Sequence, residues 1–394
     1  MKKNLLLVAS VIPLIAIVII SLHADADKNT DIEQKAIWQD PNNVVLIWET
    51  AENCTYKILR SSEQDGVYEY IGSSDHGSFR DDTAVHPNPY FYKIEITDTA
   101  RHRTSLTEPV EAIVSPEDVS SVSVIMYHNF ITEEDIKNGI EFEEYSISPD
   151  SFEEDLIWLR DNGYVTITSD DLLRHLEEKT PLPQKAVIIS IDDGTWGVYT
   201  NAWPLLKKYH MKADFNVIGA LIDSTWEALD AGGTRAGDPA PYCTWEELVD
   251  MEESGEINIC SHTYGLHVYD RNGRIGMSMK DGESAEDFAA AVREDHELVL
   301  QCIEGWTGNA PETVAYPYSK RSDEGDRIVL DNTGYKVLMA GKDARGTIGN
   351  YFVTGCDISD QFMLMSRPCR MDGTPIGDYL NQIIEVDSAN GVNG

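Results

Sequence analysis

The pattern of hydrophobic and polar positions changes character once along the chain. From residue 36 to about residue 114, short aromatic and β-branched runs are separated by turns rich in Gly, Pro, Asn and Asp, as in antiparallel β-structure. The runs lie at residues 44–48, 55–59, 68–71 and 90–96. They predict a small all-β sandwich over residues 36–116. Trp48 would be its core tryptophan, with Tyr56 and Tyr92 on its strands.

From Val122 onward, apolar strand-like runs alternate with amphipathic helical stretches. The strands are predicted at residues 122–126, 164–167, 186–191, 213–218, 257–260, 313–316 and 335–339. Seven strand–helix units in succession predict a mainly parallel sheet with right-handed crossovers. We therefore expect an α/β domain over residues 121–394, folded as a distorted (β/α)7 barrel with its functional side chains at the carboxyl ends of the strands.

Several of the helices carry explicit end signals. Ser148 and Pro149 are typical of a helix cap and first turn, and Gly163 is typical of a helix end. Residues 244–247 read Thr-Trp-Glu-Glu, a capping box that predicts the start of another helix. A longer amphipathic helix is predicted after Ser284.

The first 26 residues have the form of an export signal. Lys2 and Lys3 precede an almost unbroken apolar stretch over residues 5–22, and residues 24–26 read Ala-Asp-Ala, a small-x-small cleavage pattern. The apolar stretch is also about as long as a short membrane span, so an uncleaved anchor is the alternative. Residues 27–35 are polar and are predicted to be a tether. We expect an exported protein that is secreted or held at the cell surface.

Composition and charge narrow the classes of partner. The chain is 42% hydrophobic and 25% charged, which is typical of a globular protein. Its net charge of −37 disfavours nucleic acid and anionic membrane surfaces as partners. Membrane attachment is therefore expected only through the N-terminal segment, and the sequence gives no indication of the oligomeric state.

The six cysteines contain no Cys-x-x-Cys pair, which argues against a zinc ribbon or a dithiol redox motif. They are residues 54, 243, 260, 302, 356 and 369. An oxidising compartment permits disulfides, but free buried thiols fit the spacing equally well.

The strongest local chemical signal is Asp192-Asp193-Gly194 at the end of the most apolar predicted strand. Two adjacent carboxylates repel each other unless a cation or hydrogen bonds hold them. Successive side chains diverge in a strand, so one carboxylate can bind a metal ion while the other accepts a proton. Taken alone, such a triplet is more often a simple turn.

A second signal, His262 and His267, follows another predicted strand. Five residues apart on a loop, two imidazoles can converge on one ion, and neutral imidazole suits zinc and neighbouring transition metals. Together with Asp193, the two histidines provide three protein ligands and leave coordination positions for water. That number of ligands is typical of a catalytic metal site.

These motifs resemble those of the polysaccharide deacetylases, carbohydrate esterase family four. The family's Thr-Phe-Asp-Asp-Gly motif is matched by residues 190–194, with Ile191 in place of Phe, and its second motif by His262-Thr263 and His267. Residues 124–128 and 315–318 add further similarity, and the histidine spacing resembles the poly-N-acetylglucosamine deacetylase branch. The N-terminal region more weakly resembles a fibronectin type III module.

The resemblance implies a metal-dependent hydrolase that removes N-acetyl groups from N-acetylglucosamine-containing polysaccharide and releases acetate. Asp193, His262 and His267 would hold a divalent ion, zinc by preference, with cobalt or nickel as alternatives. Asp192 would be the general base, and the backbone N–H of Tyr318 would bind the developing oxyanion. The substrate would be an acetylated polysaccharide.

The chain departs from the family pattern at two points. The arginine that often precedes the third-motif proline is missing, because Ala315 and Tyr316 stand there. The late Leu-x-His motif that commonly supplies the general acid has no counterpart, which leaves Asp192 or His128 to protonate the leaving amine. Two other functions therefore stay open: an O-acetyl esterase acting on xylan, and a non-catalytic carbohydrate-binding or adhesion protein.

Overall fold

The structure is a computed structural model that describes most of the chain. The described residues are 32, 34–40, 42–112, 122–178, 180, 182–183, 185–341 and 363–389. The export signal or anchor predicted over residues 1–26, most of the tether, the boundary near residue 120 and Cys356 lie outside them. Among the described residues, no helix is both long enough and apolar enough to cross a membrane.

The N-terminal region forms two antiparallel sheets, as the alternating pattern predicts. Its strands are β1 (Gln34–Asp40), β2 (Asn43–Trp48), β3 (Cys54–Ser61), β4 (Glu69–Ser74), β5 (Ser78–Asp81), β6 (Phe91–Asp98), β7 (Arg103–Leu106) and β8 (Val110–Glu111). One sheet has the order β1-β2-β5. The other has the order β4-β3-β6-β7, with β8 paired to β6.

A shared apolar core joins the two sheets into a sandwich. Trp48, Tyr56 and Tyr92 are each at most 1% exposed, and the rings of Trp48 and Tyr56 pack at a centroid distance of 5.6 Å. The Tyr92 hydroxyl donates to Asp81 Oδ2 at 2.8 Å, so its burial leaves no unpaired polar group. The predicted sandwich is confirmed.

The second region is built around parallel strands. They are β9 (Ser123–Tyr127), β10 (Asn129–Phe130), β11 (Ser146–Ile147), β12 (Val165–Thr166), β13 (Ala186–Asp193), β14 (Ala213–Val217), β15 (Ile257–Ser261), β16 (Thr313–Ala315), β17 (Val337–Ala340) and β18 (Met363–Ser366). β9 pairs with β13, and the sheet then runs β13-β14-β15-β16-β17-β18. Met126 N donates to Pro368 O at 2.9 Å and Arg370 N donates to Met126 O at 2.8 Å. These bonds return the chain after β18 to β9, and they close the ring.

The predicted distorted barrel is therefore confirmed, but one of its strands differs from the prediction. β12 pairs only with the first two residues of β13, so it stands beside the ring instead of within it. The remaining place in the ring belongs to β18, which the sequence does not predict. β18 is defined by its parallel pairing with β17.

Helices pack around the barrel with the predicted caps. They are α1 (Glu133–Lys137), α2 (Pro149–Asp161), α3 (Ser169–Glu178), α4 (Trp203–Tyr209), α5 (Gly219–Asp230), α6 (Trp245–Glu253), α7 (Ala285–Val299), α8 (Gly305–Thr307), α9 (Asp323–Asn332) and α10 (Ile376–Ala389), with π-helical turns at Val198–Ala202 and Leu300–Glu304 and a 3-10 turn at Pro317–Ser319. Ser148, Thr244 and Ser284 cap α2, α6 and α7 through their side chains.

The sandwich packs against the amino-terminal ends of the barrel strands. Gln39 Nε2 donates to Thr166 O at 2.8 Å, next to the start of β13. Arg80 Nη2 lies 3.0 Å from Glu256 Oε1, directly before β15. The opposite end of the barrel, where the strands finish, is therefore not covered by the sandwich.

Asp155 on α2 links three separated parts of the barrel. Its carboxylate accepts from the Tyr127 hydroxyl at 3.1 Å, from Arg370 Nε at 2.7 Å and from Ile376 N at 3.2 Å. Both Asp155 and Arg370 are almost fully buried, at 2% and 3% exposed. Each charge is compensated mainly by the other, and their pairing fixes the segment that closes the ring.

We expect Asp155→Ala to lower the free energy of unfolding by about 3–5 kcal/mol, because Arg370 would be left as an unpaired buried charge. Glu154→Ala removes the neighbouring exposed carboxylate and should change it by less than about 0.5 kcal/mol. Urea denaturation followed by circular dichroism measures both. Equal stabilities of the two variants would contradict the role given to Asp155.

Candidate active site

The carboxyl end of β13 carries the acidic pair. The strand is buried except at Asp193. Its alternation places Ile189 and Ile191 in the core beneath the helices, and Ser190 and Asp192 inside the ring. Because the carboxyl ends of parallel strands meet at one edge, these positions face the end of β15.

Asp192 is 2% exposed and is hydrogen-bonded at both oxygens. Arg367 donates to Oδ1 at 2.7 Å and to Oδ2 at 2.9 Å, and Asn216 Nδ2 donates to Oδ1 at 2.8 Å. Burial alone would raise the pKa of Asp192, but the Arg367 guanidinium holds it well below its ordinary value. Asp192 is therefore a carboxylate at neutral pH, and it is held in an ion pair with Arg367.

Asp193 and Gly194 leave the strand in successive left-handed conformations, with φ of 85° and 91°. A Cβ at position 194 would lie 3.0 Å from Ile222 Cδ1, so glycine is needed for space as well as for φ. Burial and the neighbouring charge of Asp192 raise the pKa of Asp193 to about 7. A cation beside Asp193 would relieve both effects.

The two histidines follow β15, which is separated from β13 by β14, and they approach Asp193 at the shared edge of the sheet. His262 is 3% exposed, and its Nδ1 donates to Ala315 O at 2.8 Å, which leaves the Nε2 lone pair for another partner. Burial lowers the pKa of His262 to about 3 and also lowers the pKa of His267. His262 is therefore neutral at pH 7, as a metal-ligating histidine must be.

The structure brings Asp193, His262 and His267 together. Both histidine Nε2 atoms lie 3.5 Å from Asp193 Oδ1, and the three potential ligand atoms are all within 4.8 Å of one another. Two imidazoles and one carboxylate are a known donor set for catalytic zinc. The residues present therefore fit a divalent metal ion. Within the described ranges, no second group of His, Cys, Asp and Glu converges in this way.

Tyr318 lies beside the histidine pair. Its ring packs on His267 at a centroid distance of 4.5 Å, and its hydroxyl is 3.2 Å from His267 Nδ1. The residue has a left-handed backbone, with φ of 56°. Among the described residues, no acceptor takes its backbone N–H. That donor is available, as the proposed oxyanion role requires.

His128 follows β9 and belongs to the same site. Its Nδ1 lies 3.6 Å from Cys369 Sγ, and its ring stacks on Tyr145 at a centroid distance of 5.0 Å. Burial lowers the pKa of His128, and the charge of Asp192 opposes this effect, which places the two side chains in one electrostatic environment.

Sequence reasoning missed Arg367 and Cys369, which both follow β18. The adjacent carboxylates were a signal that a cation or hydrogen bonds had to be supplied from elsewhere in the chain. Arg367 fills that role from a position 175 residues away in the chain. The cysteines at 54, 243, 260, 302 and 369 are free thiols, so the described residues contain no disulfide.

Part of the chain is similar to known proteins. Residues 179–338 match the family model of the polysaccharide deacetylases. A poly-β-1,6-N-acetyl-D-glucosamine N-deacetylase of Staphylococcus aureus is 26% identical over 235 residues, which cover 59% of this chain and 72% of that protein. The namesake enzyme of Escherichia coli is 27% identical over 122 residues, and the match spans 31% of this chain and 18% of that protein.

The same fold occurs in a de-N-acetylase from Aggregatibacter actinomycetemcomitans, with a TM-score of 0.53 and 21% identity over 66% of this chain and 99% of that one. The family match contains the acidic pair and both histidines. By this match, residues 179–338 are identified as a polysaccharide deacetylase domain.

Proposed function

We propose that the protein is a metal-dependent N-deacetylase of N-acetylglucosamine-containing polysaccharide. The observation that carries this proposal is the convergence of Asp193, His262 and His267 next to the ion-paired Asp192, inside a polysaccharide deacetylase domain. The names of the Staphylococcus aureus and Escherichia coli relatives support the amino sugar as the substrate.

Asp193, His262 and His267 would hold the divalent ion, for which zinc, cobalt and nickel are the candidates. Such an ion supplies a Lewis acid that polarises the acetyl carbonyl and makes a water molecule more acidic. The neutral His262 and the carboxylate of Asp193 provide lone pairs without first losing a proton to solvent above about pH 7.

Asp192 accepts the proton of the attacking water in this proposal. Its pairing with Arg367 fixes the orientation of the carboxylate and keeps it ionised, although the low pKa also makes it a weak base. The burial of the pair means that the charge does not depend on mobile counter-ions.

Two further groups would act on the amide itself. The backbone N–H of Tyr318 donates to the carbonyl oxygen as negative charge develops there. Because its lowered pKa leaves His128 neutral before the reaction, it would take up the proton that Asp192 accepted from water and pass it to the leaving nitrogen, since a deprotonated amine is too basic to depart. The C–N bond then breaks, and acetate and a free amino sugar are released.

The position of the site suits a polymer. The carboxyl ends of the barrel strands lie on the side away from the contacts with the sandwich, so a long chain can approach without displacing that region. We also propose that residues 36–116 and 121–394 are separate domains, and that residues 1–26 direct export, which would bring the enzyme to extracellular polysaccharide.

We expect the purified protein to release acetate from β-1,6-linked N-acetylglucosamine oligomers, because these resemble the substrate in the names of its relatives. Chelation should abolish release, and zinc, cobalt or nickel should restore it. Acetate release from acetylated xylan in a parallel assay would identify an O-acetyl esterase. If the metal-bound protein releases acetate from neither polymer, a carbohydrate-binding protein would be favoured instead.

Replacing His262 or His267 with Ala should weaken zinc binding by at least about tenfold, since even the partners of a ligand can contribute that much. Isothermal titration calorimetry measures the affinity, and His102→Ala on the exposed surface of the sandwich is the matched control. Asp192→Asn should still bind zinc but lose turnover by roughly 100-fold or more, as for a general base. Loss of zinc from that variant would mean that the two aspartates have exchanged roles.

His128→Ala should lower kcat on the N-acetyl substrate by roughly 100-fold to 10,000-fold, because amide cleavage needs a proton donor. Hydrolysis of 4-nitrophenyl acetate should change little, because its phenolate leaves without protonation. Steady-state kinetics with both substrates measure the difference. If kcat falls equally on the amide and on the activated ester, His128 is not the general acid.

A further inference from the structure

The segment from His262 to His267 carries both candidate histidine ligands but belongs to no helix or strand. Thr263, a β-branched residue, has φ of 71°, a conformation that is costly for its side chain. The loop therefore does not hold its own shape through local preference. Contacts from outside the loop must keep His262 and His267 at the separation that one ion requires.

Gly219 N and Ala220 N donate to Thr263 O at 3.2 Å and to Tyr264 O at 3.0 Å, and Asp295 on α7 supplies two further contacts. It is 5% exposed, its Oδ2 accepts from Tyr264 N at 2.9 Å, and its Oδ1 accepts from Gly265 N at 2.7 Å. No Lys, Arg or His forms an ion pair with it among the described residues. The burial of this carboxylate is thus compensated mainly by two amides of the loop between the histidines, and neither can turn away without leaving a buried charge.

Other contacts hold the start of the same loop. Ser261 Oγ accepts from Thr263 N at 3.0 Å and from the Tyr335 hydroxyl at 2.8 Å. These bonds hold the end of the loop that carries His262. The amides bound by Asp295 lie in the middle of the loop, on the way to His267. Asp295 is therefore placed to control the position of the second histidine relative to the first.

We propose that Asp295 is a positioning residue for the metal site: it sets the conformation of the His262–His267 loop and thereby the affinity for the divalent ion. The inference rests on the proposed metal-dependent function. It extends that function to a side chain on a neighbouring helix that is neither a ligand nor a base.

Asp295→Asn tests the inference, because asparagine has one acceptor oxygen and would turn an N–H toward one of the two amides. We expect zinc to bind about tenfold to 100-fold more weakly by calorimetry, with unchanged stoichiometry. The visible spectrum of the cobalt-loaded variant should also shift, because it reports the ligand geometry. Glu294→Gln, an exposed neighbour on α7, should leave affinity and spectrum unchanged, and Asp295→Glu should restore part of the affinity.

Equal zinc affinity and cobalt spectra in the wild type and in Asp295→Asn would overturn the inference and leave the proposed function intact. If the wild type itself binds no zinc, the metal-dependent function and the metal role of Asp295 both fail. Hydrogen exchange of the wild-type protein tests the contact separately and does not require a folded variant. The amides of Tyr264 and Gly265 should exchange much more slowly than those of the exposed turn at residues 271–273, and equally fast exchange would overturn the inference.

Discussion

Two adjacent carboxylates, Asp192 and Asp193, lie at the end of a buried strand, and the surrounding structure depends on how their charges are compensated. Moving one carboxylate out of water is unfavourable, and moving two neighbours is worse because each raises the pKa of the other. The protein compensates only one of them internally. Arg367 neutralises Asp192 through two hydrogen bonds, whereas Asp193 retains a raised pKa and faces His262 and His267. This asymmetry separates a permanent anion from a prospective metal ligand.

The ion pair also explains the irregular closure of the barrel. Arg367 directly follows β18, so the guanidinium reaches Asp192 only if this short strand completes the ring. The chain then continues alongside β9, where Arg370 is held by Asp155. One short segment therefore closes the barrel, orients the Asp192 carboxylate and carries Cys369 to His128. A change in barrel closure would alter three parts of the site at once.

The features that could be predicted from the sequence are those whose signals lie within a few residues of one another. The caps at Ser148 and Thr244 and the period of the strands lie within a few residues, so the helices, the sandwich and the barrel class were predictable. Asp193, His262 and His267 were also predictable as a set, because each follows a recognisable strand in a short motif. Arg367 was not, since its partner lies 175 residues away in the chain. The support that Asp295 gives to the histidine loop could not be predicted either. In the sequence, Asp295 looks like any other acidic residue on an amphipathic helix.

The backbone of the site is held in unfavourable conformations, and the surrounding contacts explain how it stays there. Asp193, Thr263 and Tyr318 all have positive φ, and such residues cost on the order of 1–3 kcal/mol each. The strained residues are Asp193 itself, Thr263 in the loop between His262 and His267, and Tyr318, whose ring packs on His267. Offsetting that strain requires buried polar contacts whose loss would be more costly than the strain itself. The Arg367 pair beneath the first motif and the Asp295 contacts beneath the second have that character, so the energetic support for the chemistry lies in groups that need not touch the substrate.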